Sequence, residues 1–385
     1  KTAYEIMPSL VGSEMCIRDR ASGLDYIVCK NSENVLYFSG YWPIRGWSFS
    51  VVSAQGDPVL LAPDYEEEFA EAAWAPEKRI YSGDPYDALS SLLRELGVSG
   101  TVGYEGSFET IAGNAIGVEN AHAGFQHLSA LRRSLPSANL VDASNTVLEL
   151  RKVKTPEEIA AMRRAADLCS IGLEAAYEKV REGTRETEIA AACEKRIYEE
   201  GFGFSGVGKV ARAFAFVMSG PNSLRAPRPY NISSERRVRK GDAVLIELNT
   251  CLDGYWCDLT RTWVVGSPSQ EQSDVWQVLL DAQSHAVDAV RDGVESELVY
   301  QAARRVIVEA GYGDFYPHGL GHGIGVACHE PPSIGPGSKE KLYENYLHSA
   351  EPGIYKKDVG GMRIEDIVLD HKTGGERIST FHREL

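Results

Sequence analysis

Between Ala21 and about Leu148, short apolar runs alternate with segments of helical spacing. DYIVCK, NVLYFSG, SFSVVSA, PVLLAP and TVGYEG are rich in Val, Ile, Tyr and Phe and are bounded by Gly, Pro, Asn or Asp, which is the pattern of short strands. EEEFAEAAW and PYDALSSLLRELGV lie between them with apolar residues at helical spacing. The pattern predicts a small α/β domain over residues 21–148. This stretch has no glycine-rich phosphate loop and no cluster of ligand-type residues, so it reads as a packing or oligomerisation domain. In GYWPIRGWSF (40–49), Trp and Tyr beside Arg suit a binding face and equally suit sheet-core packing.

The periodicity changes at LRKVKTPEEIAAMRRAADLC. Thr155 and Glu158 have capping-box spacing with Pro156 at the first helical position, and Ile159, Met162, Ala166, Cys169, Leu173 and Val180 recur at helical intervals. A second domain is expected over residues 149–385. It repeats itself at an offset of 110 residues: VREG (180–183) matches VRDG (290–293), and EGFG (200–203) matches AGYG (310–313). Two related α-β halves would place a site at their junction, where donors from both converge.

Composition narrows the function. A net charge of −15 argues against nucleic acid or an anionic membrane as partner. No apolar run approaches the roughly 18 residues of a bilayer span. Seven cysteines without framework spacing read as reduced thiols of a cytoplasmic protein. Residues 1–20 have neither helical nor strand periodicity, and VGSEMCIRDR resembles translated adapter read-through, so this stretch is expected to be non-native.

The chemistry-bearing residues fall late in the chain. In GDAVLIELNTCLDGYWCDLTRTWVVG, Glu247 and Asp258 sit eleven residues apart on the arms of an expected hairpin that turns at Leu252-Asp253-Gly254. A carboxylate inside AVLIEL is costly to bury alone, so it needs a metal or a basic partner such as Arg261. His318, His322 and His329 cluster in HGLGHGIGVACHE, whose glycines favour a loop or strand. Glu351 precedes Pro352-Gly353, at a strand end. Strand alternation in GMRIEDIVL puts Arg363 and Glu365 on one face; Arg363 would either neutralise excess carboxylate charge or contact substrate. One imidazole (His322) with Glu247, Asp258, Glu351 and Glu365 suits two hard or borderline cations and a water.

These segments resemble the metallopeptidase family of aminopeptidase P, prolidase, methionine aminopeptidase and creatinase. The likeness runs over roughly residues 21–385 and is strongest in GDAVLIEL…DLTRT, GHGIG, EPGIY and RIEDIVL. It implies a creatinase-like N-terminal α/β domain followed by a duplicated "pita-bread" catalytic domain. By position it implies metal ligands at Glu247, Asp258, His322, Glu351 and Glu365, and catalytic roles for His329, His318, Arg363 and Glu351. The cofactor implied is two divalent ions, Mn²⁺ or Co²⁺ foremost, with Fe²⁺ or Zn²⁺ as alternatives. The chain departs from the family at two places: Glu247 replaces an Asp, and Tyr230 stands where a substrate-facing His is usual.

The resemblance therefore implies hydrolysis of an amide bond in a small peptide, as by an Xaa-Pro aminopeptidase or dipeptidase, by a homodimer or higher homo-oligomer in the cytoplasm. Glu351 would take the proton of the attacking water, and His329 would stabilise the oxyanion. Two alternatives stand beside this reading. One is a creatinase-like amidinohydrolase or a lyase on a small osmolyte; the other is a non-catalytic binding protein on the same fold.

Overall fold

The structure, a computed structural model, describes residues 23–54, 56–106, 124–227 and 232–385. The stretch 1–20 and Tyr230 lie outside them. The chain divides into two compact units, Lys1–Arg151 and Lys152–Leu385.

The first unit is built on six strands: β1 (Tyr26–Cys29), β2 (Phe49–Ser53), β3 (Val59–Pro63), β4 (Glu77–Tyr81), β5 (Thr101–Tyr104) and β6 (Asn139–Asp142). Their order is β4-β3-β2-β1-β5-β6, antiparallel at β1–β2 and β2–β3 and parallel elsewhere. Its helices are α1 (Ser32–Ser39), α2 (Glu67–Ala70), α3 (Pro85–Glu95), α4 (Gly124–Ser134) and α5 (Ser144–Lys152). One expectation is corrected here: NVLYFSG is not a strand but most of α1. It is buried along its length and ends where left-handed Gly40 (φ 71°) returns its N–H to the Leu36 carbonyl. A short apolar run buried on all sides carries no period, so its spacing cannot tell helix from strand.

The second unit repeats one plan. Helix α6 (Pro156–Tyr177), capped by the reciprocal Thr155–Glu158 box, turns through Gly183 into α7 (Glu186–Gly201). Strands β7 (Ala211–Ser219), β8 (Ala243–Leu252) and β9 (Tyr255–Val264) follow as an antiparallel sheet. Helix α8 (Gln270–Ala289) then turns through Gly293 into α9 (Ser296–Glu309). Gly183 (φ 87°) and Gly293 (φ 78°), from the matched VREG and VRDG, both take left-handed conformations that a side chain would strain. A short pair, β10 (Val294–Glu295) with β13 (Lys341–Leu342), flanks the second sheet. That sheet contains β11 (Gly321–Gly323), β12 (Glu330–Ile334), β14 (Leu347–Ala350), β17 (Asp366–Asp370) and β18 (Gly375–Arg377), in the order β12-β11-β14-β17-β18. Strands β15 (Gly353–Lys356) and β16 (Gly360–Arg363) form a separate hairpin, with β16 packed against β8 and β9 of the first sheet.

Strand alternation decides which face carries chemistry. Val244, Ile246 and Leu248 of β8 and Cys257, Leu259 and Trp263 of β9 join α6 and α7 in one apolar core. Glu247, Asp258, Thr260 and Thr262 therefore project from the opposite face. Among the described residues no helix is long and apolar enough to cross a membrane.

Candidate metal centre

Asp253 and Gly254 both have positive φ (52° and 90°), so the β8–β9 hairpin closes on a two-residue Asp-Gly turn between Leu252 and Tyr255. That register sets Glu247 opposite Thr260 and Asn249 opposite Asp258. The two acids thus share a face as diagonal neighbours, one cross-strand pair apart.

Asp258 meets donors from the second half. Its Oδ2 lies 3.9 Å from His322 Nε2, which is 3.7 Å from Glu351 Oε1. His322 Nδ1 donates to the Gly323 carbonyl at 3.0 Å, and its backbone N–H donates to Ser349 Oγ at 3.1 Å. With Nδ1 carrying the proton, Nε2 presents a lone pair to Asp258. Burial, together with His329 nearby, holds the His322 pKa well below its ordinary value, so the ring is neutral and suited to ligation. Glu365 arrives through a bridge to β9: its N–H donates to the Thr260 carbonyl, and Thr260 Oγ1–H donates to Glu365 Oε2 at 2.6 Å.

Two donor groups result, each with ligand atoms within 4.8 Å of one another: Asp258, His322 and Glu365, and Asp258, Cys328 and His329. Glu247 belongs to neither. Its Oε2 instead accepts from Arg363 Nη2 at 2.6 Å, while Arg363 Nη1 lies 3.8 Å from Glu351 Oε2 and Nε donates to Thr260 Oγ1 at 3.1 Å. Arg261 is not the partner of these acids. It is wholly buried, pairs with Asp366, and donates to the carbonyls of Thr260, Glu365, Phe381 and His382.

Arg363 and Glu365 do not share one strand, as alternation in RIEDIVL suggests. β16 ends at Arg363 and β17 begins at Asp366, with Ile364 N–H bonded to the Pro352 carbonyl between them. Both side chains still meet at Thr260 Oγ1, which donates to Glu365 and accepts from Arg363. The environment is short of positive charge: burial first, then mutual repulsion, pushes Asp258 and Glu365 above the usual carboxylate range, and burial pushes Glu351 up against the opposing pull of Arg363. Asp258 Oδ1 and Glu365 Oε1 are buried with no hydrogen-bond partner. An unmet buried acceptor costs about 1–3 kcal/mol, and more when charged, so the donor set fits a divalent cation.

The remaining predicted residues line the surroundings. The His329 ring lies 4.2 Å from that of His322. His318 Nδ1 donates to the Gly319 carbonyl at 2.8 Å, so Nε2 accepts from Tyr355 Oη–H at 2.9 Å. Burial lowers the His318 pKa to about 4. Sequence reasoning missed Tyr355, Thr260, Ser349 and Cys328. Thr260 was findable, being two residues beyond Asp258 and on the same strand face; the other three had no local signal.

Comparison with known proteins agrees with this geometry. The model of "Metallopeptidase family M24" matches residues 160–371, and that of "Creatinase/Prolidase N-terminal domain" matches residues 19–153. The chain is 32% identical to the Xaa-Pro dipeptidase of Pyrococcus furiosus over 366 residues, covering 94% of this chain and 96% of that one. It is 29% identical to the Xaa-Pro dipeptidase of Lactobacillus helveticus, covering 96% of each. Among solved structures, the prolidase from Pyrococcus horikoshii superposes with a TM-score of 0.79 at 27% identity, covering 97% of this chain and 99% of that one. The Xaa-Pro dipeptidase from Bacillus anthracis gives 0.81 at 25% identity, with the same coverage. With its two-domain plan, its duplicated catalytic fold and a donor set that fits divalent ions, the chain belongs to metallopeptidase family M24 and is a metal-dependent hydrolase.

Proposed function

We propose that the protein hydrolyses the amide bond of small Xaa-Pro peptides, using divalent ions held by Asp258, His322 and Glu365 with Glu351 at their edge. The observation that carries this reading is the convergence of those donors around two buried carboxylate oxygens that lack a partner. The relatives named Xaa-Pro dipeptidase support the substrate class. The oxygen–nitrogen set suits Mn²⁺ or Co²⁺, and such ions supply Lewis acidity that brings a water toward ionisation near neutral pH.

The chain's own residues do the rest. Glu351, held above the usual carboxylate range by burial, takes the water's proton and returns it to the leaving amine. Arg363 keeps Glu247 and Glu351 in place from one side. His318 is neutral and orients substrate by exchanging its Tyr355 partner for a substrate donor. We place the enzyme in the cytoplasm as a homo-oligomer, in keeping with the buried thiols of Cys169, Cys193 and Cys257 in its core.

The test is a panel of Xaa-Pro dipeptides, longer Xaa-Pro peptides, creatine and small amides, assayed in chelator and after adding Mn²⁺ or Co²⁺. Turnover of an Xaa-Pro substrate that chelator abolishes and metal restores is the expected result. Turnover that survives chelator, or is confined to creatine, overturns the proposal.

A further inference from the structure

We propose that Lys154 and Glu330 are positioning residues for His329: their buried ion pair anchors the segment that sets the imidazole beside His322. His329 ends the connection from β11 to β12, and Glu330 opens β12 opposite Gly323 of β11. The His329 ring lies 4.2 Å from that of His322. Glu330 Oε1 accepts from Lys154 Nζ at 2.7 Å, with the two side chains only 3% and 2% exposed. Lys154 is itself held by backbone. Its N–H donates to the Asn345 carbonyl at 2.9 Å, and the next residue, Thr155, caps α6. The connection between the strands seats on this pair: a Cβ at Gly325 would lie 2.5 Å from Glu330 Oε1 and 3.0 Å from Lys154 Cε. The Gly325 carbonyl accepts from Trp256 N–H at 2.9 Å, which ties the same turn to β9 two residues from Asp258.

Taking both charges out of water is costly, and an apolar pair of similar volume often serves stability as well or better. What an apolar pair does not supply is direction. A charged hydrogen bond between fixed ends sets where the Glu330 carboxylate lies, and with it the residue before it in the chain. A donor to a developing oxyanion needs that precision, since a displacement of about 1 Å can cost about 100-fold in rate. The inference rests on the reading of His329 as that donor in amide hydrolysis, and the experiment separates the two.

Lys154→Met, and Lys154→Met combined with Glu330→Gln, are compared in two full-length backgrounds, wild type and His329→Gln. The measurement is kcat and KM on an Xaa-Pro dipeptide with Mn²⁺ or Co²⁺. In the wild-type background both changes should lower kcat about ten- to hundredfold and leave KM within about twofold. In the His329→Gln background neither should lower kcat further by more than about twofold, because the positioned group is gone. The combined variant leaves neither charge buried alone, so it decides the matter if Lys154→Met does not fold. Wild-type kcat in the combined variant, or an equal fractional loss in both backgrounds, overturns this inference alone. Wild-type kcat in His329→Gln removes the role of His329 and this inference together. Failure of wild type to turn over any Xaa-Pro substrate removes the functional reading on which both rest.

Discussion

Replacing Arg363 with Met removes the guanidinium that, among the described residues, pairs with acids of the centre, and the size of the effect follows from the geometry. Arg363 Nη2 lies 2.6 Å from Glu247 Oε2 and Nη1 lies 3.8 Å from Glu351 Oε2, with both partners largely out of solvent. Unit charges about 4 Å apart attract by about 4 kcal/mol at an effective dielectric of ~20. Breaking one side of such a buried pair costs about 3–5 kcal/mol, because the other charge loses its counter-charge. In chelator, Arg363→Met should therefore lose about 3–5 kcal/mol, a fall in Tm of about 6–20 °C at about 2–4 °C per kcal/mol for a unit of this size. Glu247→Gln removes the buried charge that has lost its counter-charge, so the double variant should recover much of the loss, with a coupling energy of about 2 kcal/mol or more in the cycle. Urea titration and calorimetry on the four proteins measure this directly. If Arg363→Met stays within about 0.5 kcal/mol of wild type, or shows no coupling to Glu247→Gln, then Arg363 is not the counter-ion of Glu247. The substrate-contact reading of that arginine would stand instead.

Three further outcomes follow. Asp258, Glu351 and Glu365 have folded-state pKa values raised by burial, so above the ordinary value of about 4.3 the folded chain holds protons that the unfolded chain has released. Stability in chelator should then fall as pH rises from about 5 to about 8, and saturating divalent ion should flatten that slope; a flat or rising profile in chelator contradicts the burial-driven shifts. Arg261→Met takes the guanidinium from buried Asp366, which keeps Ser379 Oγ–H and an Arg383 contact at 3.7 Å, and from the carbonyls of Thr260, Glu365, Phe381 and His382, and should cost about 3–5 kcal/mol by denaturant midpoint. Arg261→Lys should recover only part of this, because an ammonium cannot reproduce the guanidinium fork; a loss under about 1 kcal/mol for Met would be the wrong result. His318→Gln should lower kcat/KM about tenfold, near the worth of one hydrogen bond to substrate. Because burial holds His318 at about 4, the shape of the pH–rate profile near neutrality should not move; a limb that disappears there would show His318 titrating during turnover.

What could be read from the sequence was what short-range physics dictates. The Thr155–Glu158 box, the Asp253-Gly254 turn and the paired turns at Gly183 and Gly293 each depend on a few neighbouring residues, and each appears as its local chemistry requires. Period-2 alternation also put Glu247 and Asp258 on one face. It failed where the chain changes sheets, between Arg363 and Glu365, because a two-residue crossing from β16 to β17 leaves the alternation of side chains unbroken in the text. The partner of Glu247 was hidden for a related reason. Arg363 is 116 residues away and reaches Glu247 only through the β15–β16 hairpin, whereas Arg261, nearby in sequence, turns instead to Asp366. Cys328 carried no local signal, since the Asp258 oxygen it approaches belongs to a strand of the other half.

Thr260 Oγ1 is one link between the two sides of the centre, and Arg363 Nη1, 3.8 Å from Glu351 Oε2, is another. Thr260 Oγ1 has one proton, which it gives to Glu365 Oε2, and it accepts from Arg363 Nε at 3.1 Å. Arg363 in turn holds Glu247. Asp258, His322 and Glu365 are fixed by backbone: the bridge from Glu365 N–H to the Thr260 carbonyl, the Gly323 carbonyl beneath His322, and the β8–β9 ladder behind Asp258. Glu247 is oriented by a side chain. A cation drawing on Glu365 weakens that carboxylate as an acceptor for Thr260. The hydroxyl oxygen then becomes a poorer acceptor for Arg363, because linked hydrogen bonds polarise one another. Ion binding at those donors therefore bears on the Arg363–Glu247 pair through Thr260, beside the direct Arg363–Glu351 contact. A residue one methylene longer than aspartate, placed at Glu247, thus acts as the tethered end of a charge network that begins at Glu365.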